Sequence, residues 1–124
     1  MNGKPCVSDA VPAREWRFYV TDMIGFCERV QSFTHGFDQS GCVADAMRFD
    51  ATVRNIELLG EAAIHVPESV RSSATAIPWR LVIATRNKLI HGYLGIDDDT
   101  LWSIIKTDIP NLLDGLRELK AGLS

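Results

Sequence analysis

Apolar residues in this chain recur every three or four positions, segment after segment, and almost never at every second position. That regularity restricts the fold more than any other feature, because a 3.6-residue period buries one face of a helix and no face of a strand. Trp16, Val20, Met23, Cys27 and Val30 step by four and three along one seam. They predict a helix from about Ala13 to Thr34-His35-Gly36, with Gly36 suited to the position just past the helix end. A short connection over 37–41 leads to a second helix, with a broken first turn, that runs to about Val66 before Pro67. Its apolar residues, Val43, Met47, Val53, Ile56, Leu59 and Ile64, spread over more than one face. Pro67 to Arg71 reads as a single turn and Ser72 to Ala76 as loop. Ile77-Pro78 opens a third helix with Pro78 at its first position, and Gly92 and Gly95 end it. Asp97, Asp98 and Asp99 suit the N-cap and first turn of a last helix. Its seam is Leu101, Ile105, Ile109, Leu112, Leu116 and Leu119, with a kink or division at Pro110 and Asp108 as a local cap. The expected fold is all-α, an antiparallel bundle of four to five helices over residues 13–124, preceded by a flexible extension over 1–12.

The chain has 124 residues, enough for one core, and a formal net charge of −3. An acidic chain is a poor general binder of nucleic acid, so any RNA it handles must meet a local positive site. Three cysteines, Cys6, Cys27 and Cys42, lack CxxC spacing, which points to a reducing cytoplasm and to no zinc motif. No segment approaches the roughly 20 apolar residues of a membrane helix. There is no phosphate-binding glycine loop, no GxSxG and no cysteine–histidine nucleophile pattern.

Polar chemistry concentrates in Arg86-Asn87-Lys88-Leu89-Ile90-His91-Gly92-Tyr93. Projected from Pro78 at about 100° per residue, Trp79, Val82, Ile83, Leu89, Ile90 and Tyr93 share a broad stripe, with Arg86 near its middle. An arginine there must be paired, must face a wet cleft or must meet a ligand. His91 lies at the stripe's edge beside Asn87 and Arg80. A cation and a titratable imidazole on one spot suit an anionic substrate such as a phosphodiester. The same residues also fit a core ion pair for Arg86 and a helix-end site for His91. Five residues turn a helix by about 140°, so Arg86 meets His91 only through its own length or through a second subunit. Tyr93 returns to the Arg86 side, where an aromatic also serves as core.

A second polar line, Asp50, Arg54, Glu57 and Glu61, crosses the second helix at steps of four, three and four. It is either a solvated face or the source of a carboxylate that pairs with Arg86 or orients His91. Asn55 beside it is a candidate tie between two helices. His35 and His65 stand near helix ends and, with His91, make no metal-ligand spacing, so no metal or cofactor is expected.

The Arg86-x4-His91-x-Tyr93 run resembles the signature of the HepT family, within the HEPN superfamily. The likeness extends from about Arg14 to Leu119. Arg54-Asn55-Ile56-Glu57-Leu58-Leu59-Gly60-Glu61-Ala62 is similar to the family's second-helix motif, and Ile77-Pro78-Trp79-Arg80 to the start of its motif helix. Leu94-Gly95-Ile96-Asp97, Trp102 and Ile109-Pro110 fit its ending. The resemblance implies a dimerising HEPN-like helical bundle and a metal-independent ribonuclease, the toxin of a type II HepT/MntA-like toxin–antitoxin pair. It implies Arg86 and His91 as catalytic residues, with Asn87 as the polar residue after the arginine. Its implied partners are RNA and an MntA-like nucleotidyltransferase antitoxin, which silences the toxin by adding AMP to Tyr93. The alternative is a non-catalytic helical binding subunit of such a nucleotidyltransferase. Ala46-Met47-Arg48-Phe49 departs from the family's more polar pattern, which makes Phe49 a candidate extra packing or oligomer contact.

Overall fold

A computed structural model of the chain describes residues 13–91 and 96–122. The expected extension over 1–12 and the residues Gly92, Tyr93, Leu94 and Gly95 lie outside the described residues. Every regular element among the described residues is helical. In chain order they are α1 (Ala13–Thr34), α2 (Gln39–Ala44), α3 (Ala46–Ile64), α4 (Glu68–Ser73), α5 (Trp79–Ile90) and α6 (Asp98–Ser103). A π-helical turn (Ile104–Asp108) then runs directly into α7 (Ile109–Ala121).

The predicted seam of α1 is its buried face: Val20, Met23, Cys27 and Val30 are fully enclosed. Thr34 extends that seam, its hydroxyl donating to the Val30 carbonyl at 2.8 Å. Gly36 then reverses the chain at φ +80°, a conformation that side chains with a Cβ rarely adopt. Asp38 caps α2 by accepting from the Gly41 N–H at 2.7 Å. Asp45 is the expected break: its N–H closes α2 on Cys42 O, and its carboxylate accepts from Arg48 N–H to start α3. Arg48 locks this corner by donating to Phe33 O at 2.8 Å and lying over the Phe37 ring at 4.1 Å. Phe49 is half-buried against the core, so it serves packing within the chain.

The long helices lie side by side, α3 between α1 and α5, with α7 against α1. In α3 the burial falls on Thr52, Asn55, Ile56, Leu59, Gly60, Ala62 and Ala63. The larger Met47 and Ile64 point outward, at 85 % and 38 % exposure. Gly60, Ala62 and Ala63 share the interior with Ile56 and Leu59, where α1 and α5 flank α3.

Pro78 sits at the N-cap of α5 and not at its first helical position; its ψ of 68° is outside the helical range. The loop before it is closed by the Trp79 indole N–H donating to Ala74 O at 3.0 Å. Asp97 caps α6, accepting from Thr100 N–H at 2.7 Å. This contact holds its carboxyl below the ordinary value of 3.8. Pro110 lies in the first turn of α7, and the expected division takes the form of one widened turn, with Ile109 N–H bonded to Ile104 O. The extra residue accommodates a proline ring that would crowd the carbonyl four residues back. Asp108 makes no capping hydrogen bond, contrary to its expected role, because the helix never stops there.

Candidate functional site

The site is built where α3 crosses α5. Gly60 is the point of contact. A Cβ added there would collide with Arg86 Cβ, and would stand 2.9 Å from both Arg86 Cγ and the Val82 carbonyl oxygen. Glycine in a helix interior costs about 1 kcal/mol relative to alanine, so its presence needs a reason. Here the reason is room for the stem of Arg86.

Arg86 leaves that crossing with its guanidinium held on two sides. Nη2 donates to Glu61 Oε1 at 2.7 Å and Nη1 donates to Asn87 Oδ1 at 2.8 Å. Its Nε is buried and has no hydrogen-bond partner among the described residues. The side chain is 22 % exposed and Glu61 49 % exposed, so the pair faces water. The arginine does lie on the buried side of α5, which is centred on Trp79, Val82, Thr85 and Leu89. That stripe is narrower than expected: Ile83 is only half-buried and Ile90 is 46 % exposed. Thr85 fills the gap, its hydroxyl donating back to Leu81 O at 2.7 Å.

His91 is the C-cap of α5 and is exposed, its backbone N–H bonded to Asn87 O at 3.3 Å. No hydrogen bond joins its imidazole to Arg86 among the described residues. Asn87 connects the two, through its side chain to Arg86 and through its carbonyl to His91. Tyr93, the expected modification site, lies outside the described residues.

The polar line of α3 divides. Glu61 reaches Arg86, whereas Arg54 and Glu57 pair with each other at 3.1 Å along their own helix. Asn55 does not tie two helices: its amide donates to Ala51 O at 2.8 Å within α3, and its buried Oδ1 has no partner among the described residues. His65 is more than a helix-end residue. Its ring stacks on Tyr19 at 4.9 Å, and Nε2 stands 3.6 Å from Glu61 Oε2. Glu61 therefore spans two cations, Arg86 on one oxygen and, when protonated, His65 on the other. The four-residue step from Glu61 to His65 was the available signal.

Both described cysteines are buried. Burial pushes the Cys27 thiol up to about 12, and burial also raises Cys42. Among the described residues no three His, Cys, Asp or Glu side chains converge as metal ligands do, and no helix is long and apolar enough to cross a membrane.

Comparison with known proteins bears on this geometry. The family described as "Ribonuclease HepT-like" matches residues 23–119. "Probable ribonuclease HepT" of Thermococcus cleftensis is 32 % identical over 107 residues, covering 86 % of this chain and 97 % of that protein. A candidate RNase of Methanocaldococcus jannaschii is 31 % identical over 99 residues, 80 % of this chain and 91 % of its own. Another, from Caldanaerobacter subterraneus, is 30 % identical over 103 residues, 83 % and 92 % of the two chains. No solved structure matches. The match spans α3, α5 and the crossing between them, and the chain belongs to the HepT-like ribonuclease family.

Proposed function

We propose that this HepT-like ribonuclease cleaves RNA internally and without a metal ion, with Arg86 and His91 as catalytic residues and Asn87 between them. The observation that carries the reading is the Arg86 guanidinium, partly open to water and clamped by Glu61 and Asn87, about a turn and a half before an exposed His91. In such a reaction the ribose 2′-oxygen attacks the adjacent phosphorus. The P–O2′ bond forms, the P–O5′ bond breaks, and the products carry a 2′,3′-cyclic phosphate and a 5′-hydroxyl. His91 takes the 2′ proton, a role worth about 10²–10⁴-fold in rate. Arg86 is permanently charged and offers its remaining N–H groups to the phosphoryl oxygens as their charge grows. The clamp supports this role because an arginine already oriented needs no reorganisation in the transition state. A second copy of the chain in an HEPN-like dimer of four- to five-helix bundles supplies the acid that protonates the leaving 5′-oxygen, through its own His91. Glu61 acts from the second-helix line as the residue that aims Arg86, with Arg54 and Glu57 bracing that helix.

In this reading the protein is a cytoplasmic toxin. Its antitoxin is an MntA-like nucleotidyltransferase that transfers AMP from ATP to the Tyr93 hydroxyl with release of pyrophosphate, and the added phosphate blocks RNA by bulk and charge. Arg86 as a purely internal ion pair is the weaker reading, since both partners reach solvent. The test is cleavage of a labelled RNA in chelator. His91→Ala is expected to lower the rate by about 10²-fold or more with unchanged thermal stability. Full activity of that variant, or activity abolished by chelator, refutes the mechanism. Intact mass after incubation with the antitoxin and ATP tests the silencing route: wild type gains the mass of AMP and Tyr93→Phe does not.

A further inference from the structure

A groove of about 710 Å³ runs along the outer side of α5, walled by α4 and the loop that follows it. From α5 it takes Trp79 at the helix start and, beyond it, Arg80, Ile83, Ala84 and Asn87; the last four share a face. Steps of three, one and three put these on one helical stripe, and four residues further along the same stripe stands His91. The groove's lining on α5 therefore ends at Asn87, one helical step before His91, and Asn87 is the residue bonded to Arg86. At about 1.5 Å per residue, Arg80 lies about 16 Å from His91 along the axis, longer than one extended nucleotide.

The opposite wall brings Arg71, Ser72 and Thr75. Arg71 is fixed by donating from Nε to Val66 O at 3.1 Å, and its Nη2 lies 3.7 Å from Glu68, a carboxylate that is 85 % exposed. Arg80 is exposed and makes no hydrogen bond or ion pair among the described residues. Two guanidinium groups, Arg80 on α5 and Arg71 beside Glu68 on α4, thus line a groove that also carries hydroxyls and the apolar Pro78 and Ile83. In a chain of net charge −3 this is a local positive track of the kind an acidic protein needs to hold an anionic strand.

We infer that the α4–α5 groove is the subsite for single-stranded RNA flanking the scissile link, with Arg80 and Arg71 on successive backbone phosphates and a base against Pro78 and Ile83. This rests on the ribonuclease reading for the position of the scissile link, not for the groove's own affinity. The test uses full-length His91→Ala protein, so that nothing is cut, and fluorescence anisotropy with a twelve-nucleotide RNA and a dinucleotide. Adding Arg80→Ala is expected to weaken the longer RNA about fivefold and to shallow its salt dependence by about 0.7 in log–log slope. Arg71→Ala adds a similar loss, and Arg80→Glu a larger one. Dinucleotide affinity moves less than twofold, and Lys120→Ala, which removes a charge on α7 outside the groove's lining, moves neither. Equal losses for both ligands, or none for the longer, overturn the subsite. Unchanged RNA affinity with weakened capture of a protein partner hands the groove to that partner and also overturns it. Wild-type cleavage is scored separately. Its absence refutes the nuclease reading while the anisotropy still judges the groove, and normal cleavage with an indifferent Arg80 removes the groove alone.

Discussion

Within the α1–α3–α7 interior, Val20, Met23, Val30, Leu59, Leu112 and Leu116 are enclosed to 1 % exposure or less, and the buried Thr34 and Thr52 donate their hydroxyls back to their own helices. The α3–α5 crossing a few residues away is made of other material: a glycine, an arginine stem and a guanidinium nitrogen with no partner among the described residues. The first region contributes stability through buried area. The second gives up some of that in order to keep a cation oriented at the surface of the core. Sites that do chemistry are commonly placed on such seams, because the rigid helices behind them fix the geometry.

Removing a side chain from the interior separates the two regions most clearly. Leu116→Ala is expected to lower unfolding free energy by about 2–5 kcal/mol while leaving cleavage per folded molecule unchanged, as read by denaturant melts beside a rate assay. An activity loss without a stability loss would break the contrast. Gly60→Ala comes next. Its methyl meets the Arg86 stem and a backbone carbonyl, neither of which is a flexible end, so a destabilisation of about 1–3 kcal/mol is expected together with reduced cleavage. The comparable glycine on α7 faces only the Ile77 side chain, with a Cβ 2.9 Å from Ile77 Cγ1. Gly115→Ala should cost less and spare activity, and the reverse order would show that the crossing is not special.

Glu61→Gln removes half of a solvent-facing ion pair. Stability should change by less than about 1 kcal/mol, while cleavage falls because Arg86 is no longer aimed. A stability loss of several kcal/mol would instead mark the pair as structural. The smallest effect is at Asp97, whose carboxyl is held below its ordinary value by the Thr100 N–H. A lowered value means the folded state binds this proton less readily than the unfolded chain. The contribution is therefore present above the ordinary carboxylate range and disappears as pH falls through Asp97's own depressed value. Asp97→Asn should match wild type at the acid end of a stability–pH profile and fall slightly below it near neutrality.

Much of this was legible one segment at a time. The seams of α1 and α7 are local periodicities, and Gly36 and Asp97 act through their immediate neighbours in the chain. The local patterns misled where a neighbouring helix decides burial. The apolar residues of α3 spread over more than one face in the sequence, and packing buries Ile56 and Leu59 while Met47 and Ile64 face outward. Ile90 read as part of a buried stripe that ends at Leu89. Asn55 satisfies its amide within its own helix and not across a gap.

By itself the amino-acid order determined that the chain is helical, where most helices begin and end, and that Arg86, Asn87 and His91 share the end of one of them. Which carboxylate meets Arg86, and the groove whose α5 lining ends at Asn87, were decided only by tertiary packing. Glu61 stands twenty-five positions before its partner, Asn87 lies on the same helix as Arg80, and the wall facing them comes from α4. Periodicity specifies the face of each helix, but the choice among facing partners depends on how closely two helices can approach, and at this crossing the missing side chain of Gly60 sets that distance.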